Sequence, residues 1–228
     1  MSDKPILFSG PMMNALRAGK KTQTRRVLNP QPEPWKDFYQ EGGCQTTDWH
    51  FETGMKTEDG AHHRFGLWMH CQFHESRWQR LPYAPGDRLW CREAWRAPII
   101  WDGTKPRDMP PTLEIGDEAD GQFPGWASNR VFPGMFMPRW ASRAFVTVTD
   151  VRVQRIQQIS EADAIAEGIV PTWPDGVPLI HDGSGGVCRE AYFALWNRLH
   201  GDHADFADPW VAAYSFTVTL RNIDEAAP

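Results

Sequence analysis

The chain has 228 residues, of which 41% are hydrophobic and 23% are charged, and these proportions are typical of a folded protein rather than a disordered one. Its formal net charge is −5, which excludes a surface that attracts nucleic acid over the whole molecule, so any such contact must be local. No apolar run approaches the roughly 20 residues that cross a bilayer, and the segment MSDKPILFSG has no apolar signal core. We therefore expect a cytoplasmic protein without a membrane partner, whose four cysteines are reduced.

The first predicted element is a short helix over residues 10–19, the segment GPMMNALRAG. Proline in the first turn and Gly19 at the end are typical helix boundaries. Met12, Ala15 and Leu16 keep helical spacing, so we expect one side of the helix to face a core. A basic segment follows, KKTQTRR at residues 20–26, and the prolines of NPQPEPW then favour an extended linker.

Two long stretches lack a sustained hydrophobic period, and we interpret them as insertions into one domain that spans residues 1–228. The first, residues 36–80, is polar and rich in glycine, and the second, residues 98–134, is rich in glycine, proline and aspartate. Insertions of this length usually either carry function or become ordered against a partner.

Strands are predicted between and after the insertions. A turn at residues 85–87 precedes a strand at residues 89–92. The segment FVTVTDVRVQRI alternates between apolar and polar residues, with a slip in phase at Asp150 that indicates a bulge or a bend. The final strand, WVAAYSFTVTL, places alternate residues on one face: Trp210, Ala212, Tyr214, Phe216, Val218 and Leu220.

Two further helices are predicted. The segment SEADAIAEG begins with Ser160 and Asp163 at the spacing of a capping box and ends at Gly168. The segment REAYFALWNRLHG carries four apolar residues at helical spacing: Tyr192, Leu195, Trp196 and Leu199. Few strands, short helices between them and no regular strand–helix alternation favour an α+β fold, built as a small mixed β-barrel with flanking short helices.

Tryptophans, histidines and cysteines support two further hypotheses. The twelve tryptophans either pack in the core or form a stacking wall for a flat ligand. Five of the eight histidines lie in the first insertion, where Cys71 and His74 have the spacing of half a zinc site and Cys44 lies upstream. No second close pair of ligands follows, so we expect no metal, with Cys44, Cys71 and His74 as minor zinc candidates against solvated loop residues.

One set of residues, spaced as G-x-K-x-x-[E/T]-x-R, lies in and just before the basic segment: Gly19, Lys21, Thr24 and Arg26. This pattern resembles the signature of the ASCH domain family, which belongs to the PUA-like superfamily of small β-barrels. APGDRLWCREAW, MPRWASR, ISEADAIAEGI and DPWVAAYSF further resemble ASCH-domain proteins that are common in phages and prophages. The resemblance covers residues 4–30, 81–97 and 135–220, and the two insertions have no counterpart in it.

The resemblance implies a PUA-like barrel, a nucleic-acid or nucleoside ligand and, as in some small bacterial members, hydrolysis of N4-acylated cytidines without a cofactor. In those amidohydrolases a lysine and a threonine of the signature act with a glutamate near the end of the following helix. The matching residues here are Lys21, Thr24 and Glu167. Other family members carry glutamate where this chain has Thr24, so this departure from the broader family favours the amidohydrolases.

Amide hydrolysis needs a nucleophile, a proton acceptor and a group that stabilises the oxyanion. Thr24 supplies a hydroxyl, and Lys21 accepts its proton if burial and neighbouring cations lower the lysine pKa. If the ammonium persists, Lys21 stabilises the oxyanion and Glu167 is the base, directly or through water. Both assignments of the base stay open at this point.

Each of these residues also has a structural interpretation. The basic segment is otherwise an exposed edge strand, on which lysines discourage pairing. Lys21 and Thr24 are three apart and would face opposite sides of a regular strand, so they converge only in a turn or an irregular segment. Glu167 lies at a helix end where the dipole disfavours a carboxylate, so it is either exposed or held by a cation from elsewhere.

Six predicted substrate-binding residues accompany the catalytic set: Arg26, Trp90, Arg92, Glu93, Arg139 and Trp140. Arg26 completes the signature and is expected to anchor the loop or to contact a phosphate or ribose. The three residues of the central strand are expected near the barrel mouth, with core packing as the alternative for Trp90. The segment MPRWASR forms either a binding edge or an amphipathic cover over the barrel.

We therefore predict hydrolysis of an amide on a modified cytosine nucleoside or nucleotide. One alternative is a module that binds RNA or DNA without catalysis, with the basic segment on phosphates and tryptophans stacked on bases. A ribonuclease is the other alternative, although no histidine pair suggests one. If the gene is carried by a phage, the host cytoplasm is the expected location.

Overall fold

The computed structural model describes residues 3–32, 49–58, 62–71, 74–170 and 187–225. Within these ranges the helices and strands in chain order are β1 (Asp3–Leu7), α1 (Gly10–Arg17), β2 (Gln23–Val27), β3 (Trp49–Glu58), β4 (His62–Cys71), β5 (His74–Arg80), β6 (Arg88–Arg92), β7 (Trp95–Arg96), β8 (Gly116–Asp117), β9 (Phe145–Arg155), α2 (Glu161–Ala166), α3 (Val187–His200) and β10 (Trp210–Thr219). The three predicted helices and the three strands predicted outside the insertions are therefore confirmed.

The chain folds into two compact units, each built from separate stretches of sequence. Unit 1 comprises residues 1–22, 86–149 and 216–228, and unit 2 comprises residues 23–85 and 150–215. The chain passes between the units four times, and β9 and β10 each continue from one unit into the other. In β9 this passage coincides with the predicted slip in phase, because Thr149 and Asp150 are consecutive exposed residues.

In unit 1, β6 lies between β1 and the first part of β9. β1 is parallel to β6, with Asp3 opposite Arg88, and β9 is antiparallel to β6, with Phe145 opposite Trp90. Apolar residues in and next to these strands form the core of the unit, each at most 2% exposed: Ile6, Phe8, Leu89, Cys91, Val146 and Val148. This arrangement follows from the alternation of apolar residues along each strand.

Helix α1 connects β1 to the basic segment. Its buried residues are Met13 and Leu16, whereas Met12 and Ala15 are partly exposed, so the apolar side exists but is centred one residue later than predicted. Gly19 follows the helix with a φ of 67°, a left-handed conformation that glycine adopts at little cost.

The second insertion contains short 3₁₀ turns and the two-residue strand β8, as its irregular sequence predicts. Its apolar residues, together with those that flank it, form a cluster that includes Trp95, Met109, Phe132 and Met137. The rings of Trp95 and Phe132 stack with centroids 4.8 Å apart. The insertion is thus folded around its own apolar cluster.

In unit 2, β2 pairs antiparallel with β10, and α2 and α3 lie near its apolar residues. One cluster unites these helices with β10: Ile156, Ile159, Ala164, Cys188, Tyr192, Trp196 and Val211. Residues 211–214 of β10 are all 0% exposed, so the prediction of one apolar face was too narrow, because both faces of this stretch are covered. In α3 the buried stripe is Cys188, Tyr192 and Trp196, and the predicted Leu199 is 56% exposed instead.

The first insertion contradicts the expectation of an irregular segment. β3, β4 and β5 form an antiparallel sheet in which β4 is central, while residues 36–48 lie outside the described part of the chain. The cross-strand pair of Trp68 and Trp78 stabilises the sheet. Gly66 is required in β4 because a Cβ atom there would lie 2.4 Å from Cε2 of Trp78.

The molecule is a mixed α+β protein with few helices, as predicted. The described strands do not close into the predicted barrel. Within the described part of the chain, no helix is long and apolar enough to cross a bilayer.

Candidate active site

The basic segment is buried, which contradicts its interpretation as an exposed strand. Lys21 is 0% exposed and Arg25 is 5% exposed, although Lys20 beside them is exposed. In unit 1, the Lys21 backbone N–H donates to the Ala15 carbonyl at 3.1 Å, and its Nζ lies 5.8 Å from the centroid of the Phe8 ring. Charged groups are seldom buried to this extent unless they are paired, so a specific role for the segment is favoured.

Thr24 occupies the second position of β2 and is 4% exposed. Its partner in the β2–β10 register is Tyr214, which is 0% exposed. Directly opposite residues in an antiparallel pair share one face of the sheet. The Thr24 hydroxyl therefore lies on the Tyr214 face of β2.

Glu167 is the residue that ends α2, and it is 7% exposed. Its Oε1 accepts a hydrogen bond from Nη1 of Arg25 at 3.2 Å. The exposed alternative for this glutamate is therefore wrong, and the requirement for a cation from elsewhere in the chain is met by Arg25. Asp163, one turn earlier on the same face of α2, lies 3.0 Å from Nη2 of Arg25.

Arg25 is the residue of this site that the sequence reasoning missed. Its Nη1 also donates to Oε1 of Gln23 at 2.6 Å, and Nε2 of Gln23 donates to Oγ of Ser215 at 3.2 Å. The guanidinium lies 6.0 Å from the centroid of the Tyr192 ring. Two carboxylates, one amide and one aromatic ring thus surround a single buried cation. The sequence signal that could have identified Arg25 is its position between two residues of the predicted site, Thr24 and Arg26.

Side chains alternate along a strand, so Thr24 and Arg25 point to opposite faces of β2. Glu167 is attached to β2 on the Arg25 face, and Thr24 lies on the face of Tyr214. Direct action of Glu167 on the Thr24 hydroxyl and a catalytic role for Lys21 stay predictions.

Arg26 lies on the Thr24 face and lines a cavity of about 320 Å³ in unit 2. Tyr214 and Arg80 also line it. Contact of Arg26 with a phosphate or ribose stays a prediction, and this cavity is where such a group would lie.

The predicted residues Trp90 and Arg92 of β6 contact other residues of the protein. Trp90 is 7% exposed and packs in a cluster with Phe145 and Ile223. The Arg92 guanidinium covers the Trp90 ring at 4.4 Å from its centroid and donates to the Met135 carbonyl at 3.1 Å. Core packing, the alternative for Trp90, therefore applies.

Glu93 belongs to a buried acidic cluster in unit 1. The Arg143 guanidinium donates to both of its carboxylate oxygens, at 2.9 and 3.0 Å. Arg143 also lies 3.1 Å from Asp117 and 2.7 Å from Asp120. Burial raises the pKa of Glu93, and burial with the neighbouring Glu93 charge raises the pKa of Asp117 to about 7.

The segment MPRWASR makes contacts within unit 1. Arg139 forms ion pairs with Asp3 at 2.7 Å and with Asp224 at 2.6 Å. Trp140 packs against the apolar cluster of Trp95. These contacts fit the amphipathic-cover alternative, and substrate binding by Arg139 and Trp140 stays a prediction.

The zinc candidates lie largely beyond what the structure describes. Cys44 is outside the described residues, and Cys71 and His74 are opposite one another in the β4–β5 register. Within the described ranges no group of three or more histidine, cysteine or acidic residues is arranged to hold a metal ion.

Comparisons with known proteins assign no family to this chain. No protein-family model, no curated protein and no solved structure matches it. The resemblance to ASCH-domain proteins therefore rests on the sequence segments quoted above.

Proposed function

We propose that this protein is an amidohydrolase that removes an acyl group from the N4 position of a modified cytosine nucleoside or nucleotide. The proposal rests on one structural observation. Lys21, Thr24 and Glu167, the residues that the ASCH resemblance selects, are 0%, 4% and 7% exposed. Burial of a lysine or a carboxylate is costly, so each of these residues has a specific polar environment rather than the solvated surface of a basic segment.

In the proposed reaction the Thr24 hydroxyl attacks the acyl carbonyl, the C–N bond breaks, and the exocyclic amine leaves with a proton. Water then hydrolyses the acyl-threonine ester to a carboxylate. Lys21 either accepts the Thr24 proton or stabilises the oxyanion. Glu167 lies on the Arg25 face of β2 and Thr24 on the other face, so the geometry favours a positioning role for Glu167 through Arg25, whose hydrogen bond to it is 3.2 Å long. As the base, Glu167 would have to act on Thr24 through water.

We also propose that the mixed α+β fold is PUA-like. Support comes from the order of the resembling segments along the chain and from the helix α2, whose capping box joins Ser160 and Asp163. An experimental structure of the whole chain tests the proposal through barrel closure.

The test of activity incubates the protein with a panel of N4-acylcytidines and their deoxy and 5′-phosphorylated forms, with detection by mass spectrometry. We expect Lys21→Ala, Thr24→Ala and Glu167→Gln each to lower turnover by roughly 100-fold or more, with strongly non-additive effects in combination. Thr24→Ser should retain activity because it keeps the hydroxyl. Arg25→Lys keeps a cation but loses the two-carboxylate geometry, so a loss of activity there supports the positioning role of Glu167.

Each of the variants at Lys21, Thr24 and Glu167 is matched by the same substitution at an exposed residue of the same type, which serves as its control. These are Lys20→Ala, Thr22→Ala and Glu190→Gln, at positions that are exposed. Thermal melting of every variant separates lost chemistry from lost folding. Absence of turnover across the whole panel in the folded wild-type protein would contradict the proposed activity.

A second candidate function, binding of single-stranded nucleic acid without catalysis, is favoured by a groove in unit 1. The groove has a volume of about 540 Å³ and is lined by Lys105, Arg107, Arg130 and Phe136 among others, and its described lining contains no acidic residue. Phe136 is 56% exposed, as a ring that stacks on a base must be.

A further inference from the structure

The cavity beside Arg26 in unit 2 has two walls. Residues 26–29, at the end of β2 and just beyond it, form one wall, and residues 79–82, at the end of β5 and just beyond it, form the other. Its volume of about 320 Å³ lies at the lower end of the range for small-ligand sites. Gln79 and Arg80 belong to the first insertion, which has no counterpart in the family resemblance.

The lining of this cavity is basic in a protein whose net charge is −5. Arg26 and Arg80 contribute two guanidinium groups, and Asn29 and Gln79 contribute amides. Among the residues that the structure describes, those that line the cavity include no acidic residue. Guanidinium groups bind phosphate through paired hydrogen bonds, and this combination of cations without carboxylates suits an anion.

Tyr214 also lines this cavity and is 0% exposed. The Tyr83 backbone N–H donates toward its Oη, and among the described residues no acceptor takes the hydroxyl hydrogen. The Tyr83 ring packs edge-on against it with centroids 5.2 Å apart, which limits its rotation. Burial raises the pKa of Tyr214, so the hydroxyl stays protonated, and a phosphate oxygen would satisfy it.

The cavity also lies on the predicted catalytic face of β2. Tyr214 is directly opposite Thr24 in the register, and Arg26 is two residues further along the strand. All three side chains therefore share one face. A ligand in the cavity would have the Thr24 hydroxyl on the same face of the sheet.

We infer that this cavity binds a phosphate group of the substrate through Arg26, Arg80 and Tyr214, so that the natural substrate is a cytosine nucleotide and not a free nucleoside. The reaction named here rests on the proposed function, whereas the phosphate binding does not. The phosphate belongs either to a mononucleotide or to a polynucleotide chain, and the two sources share the same chemistry.

The experiment measures calorimetric binding of cytidine, cytidine 5′-monophosphate and a short cytidine oligomer to the full chain. We expect the monophosphate to bind at least about tenfold more tightly than cytidine, a difference of 1.4 kcal/mol. Arg80→Gln, at an exposed position, should remove most of this preference, and Tyr214→Phe should reduce it. Arg198→Gln, on an exposed position of α3, is the matched control and should leave it unchanged.

Equal binding of cytidine and its monophosphate, or an unchanged preference in Arg80→Gln, overturns the inference. Tighter binding of the oligomer than of the monophosphate assigns the phosphate to a polynucleotide, and the reverse assigns it to a mononucleotide. None of these ligands carries an amide to hydrolyse. Phosphate preference without turnover of any acylated substrate therefore contradicts the proposed function alone, and turnover without phosphate preference contradicts this inference alone.

Discussion

Arg25 shows how one buried cation organises several polar residues. Its guanidinium contacts Gln23, Asp163 and Glu167, so the carboxylates at both ends of α2 are fixed to β2. Breaking a buried pair of this kind usually costs more than the pair contributes, because the remaining charge is left without compensation. Glu167 is for this reason better tested with glutamine, which keeps the shape of the side chain, than with alanine.

Asp117 is predicted to make stability depend on pH. Its pKa rises from 3.8 to about 7 in the folded protein, chiefly because of burial and then because of the Glu93 charge, against the attraction of Arg143. A raised carboxyl pKa means that the folded state binds the proton more tightly than the unfolded state does. The contribution of Asp117 to stability is therefore fully present below about pH 4 and is lost as the pH rises to about 7, at roughly 1.4 kcal/mol per pH unit.

The variant Asp117→Asn tests this dependence because its amide is neutral at every pH. We expect it to be more stable than the wild type at pH 8 by one to a few kcal/mol, roughly the pKa shift converted to free energy, and equal to it near pH 4. Urea unfolding at both pH values measures the difference. Asp108→Asn, at an exposed position, is the control, and an Asp117→Asn curve parallel to the wild type would contradict the prediction.

At the scale of elements, α2 depends on its ends because it has only six residues. The backbone N–H of Asp163 donates to Oγ of Ser160 at 3.1 Å, and the Asp163 side chain accepts from the Ser160 N–H. At the other end, Gly168 has a φ of 85°, which lets the chain turn directly after Glu167. The position of Glu167 is thus set by caps that the sequence displays.

Ser160→Ala removes the first of these caps. We expect it to lower the free energy of unfolding by about 1 kcal/mol, since it leaves a backbone donor without a partner. Denaturant unfolding measures the loss, and Ser160→Asp, which keeps a capping oxygen, should restore most of it. Equal stability of the alanine and aspartate variants would show that the cap contributes little.

At the scale of the whole molecule, local charge matters more than the total. The net charge of −5 repels nucleic acid, yet the part of the groove of unit 1 that the structure describes carries three cations and no acidic residue. If the protein binds single strands there, affinity for labelled RNA or DNA oligomers should fall steeply with salt, with a slope of roughly −0.7 per neutralised phosphate.

Arg130→Gln should make that slope shallower by somewhat less than one unit, and Phe136→Ala should weaken binding with an unchanged slope, since the ring carries no charge. Lys20→Gln, exposed and outside the groove, serves as the control. Oligomer binding that ignores salt, or that survives both groove variants, would contradict a nucleic-acid site in this groove. Titration of the labelled oligomers at two salt concentrations measures this slope.

The elements that local chemistry specifies were predicted from the sequence alone. The boundaries of α1 and α2 follow from proline, glycine and the Ser160 cap, β6 follows from the turn that precedes it, and β9 follows from alternation. The β3–β5 sheet was missed because β3 and β5 are largely polar and the apolar residues of β4 do not alternate regularly. Such strands are recognised by their cross-strand partners rather than by their own pattern.

The candidate site was likewise predicted only in part from the sequence. Spacing and resemblance selected Lys21, Thr24 and Glu167 as a set, because those features are carried by nearby residues and short segments. Only the tertiary structure decided that the basic segment is buried, that Arg25 holds Glu167 at 3.2 Å, and that Arg80 joins Arg26 and Tyr214 around one cavity. Burial and pairing between residues far apart in sequence depend on how the strands pair and the helices pack, and a local pattern does not contain that information.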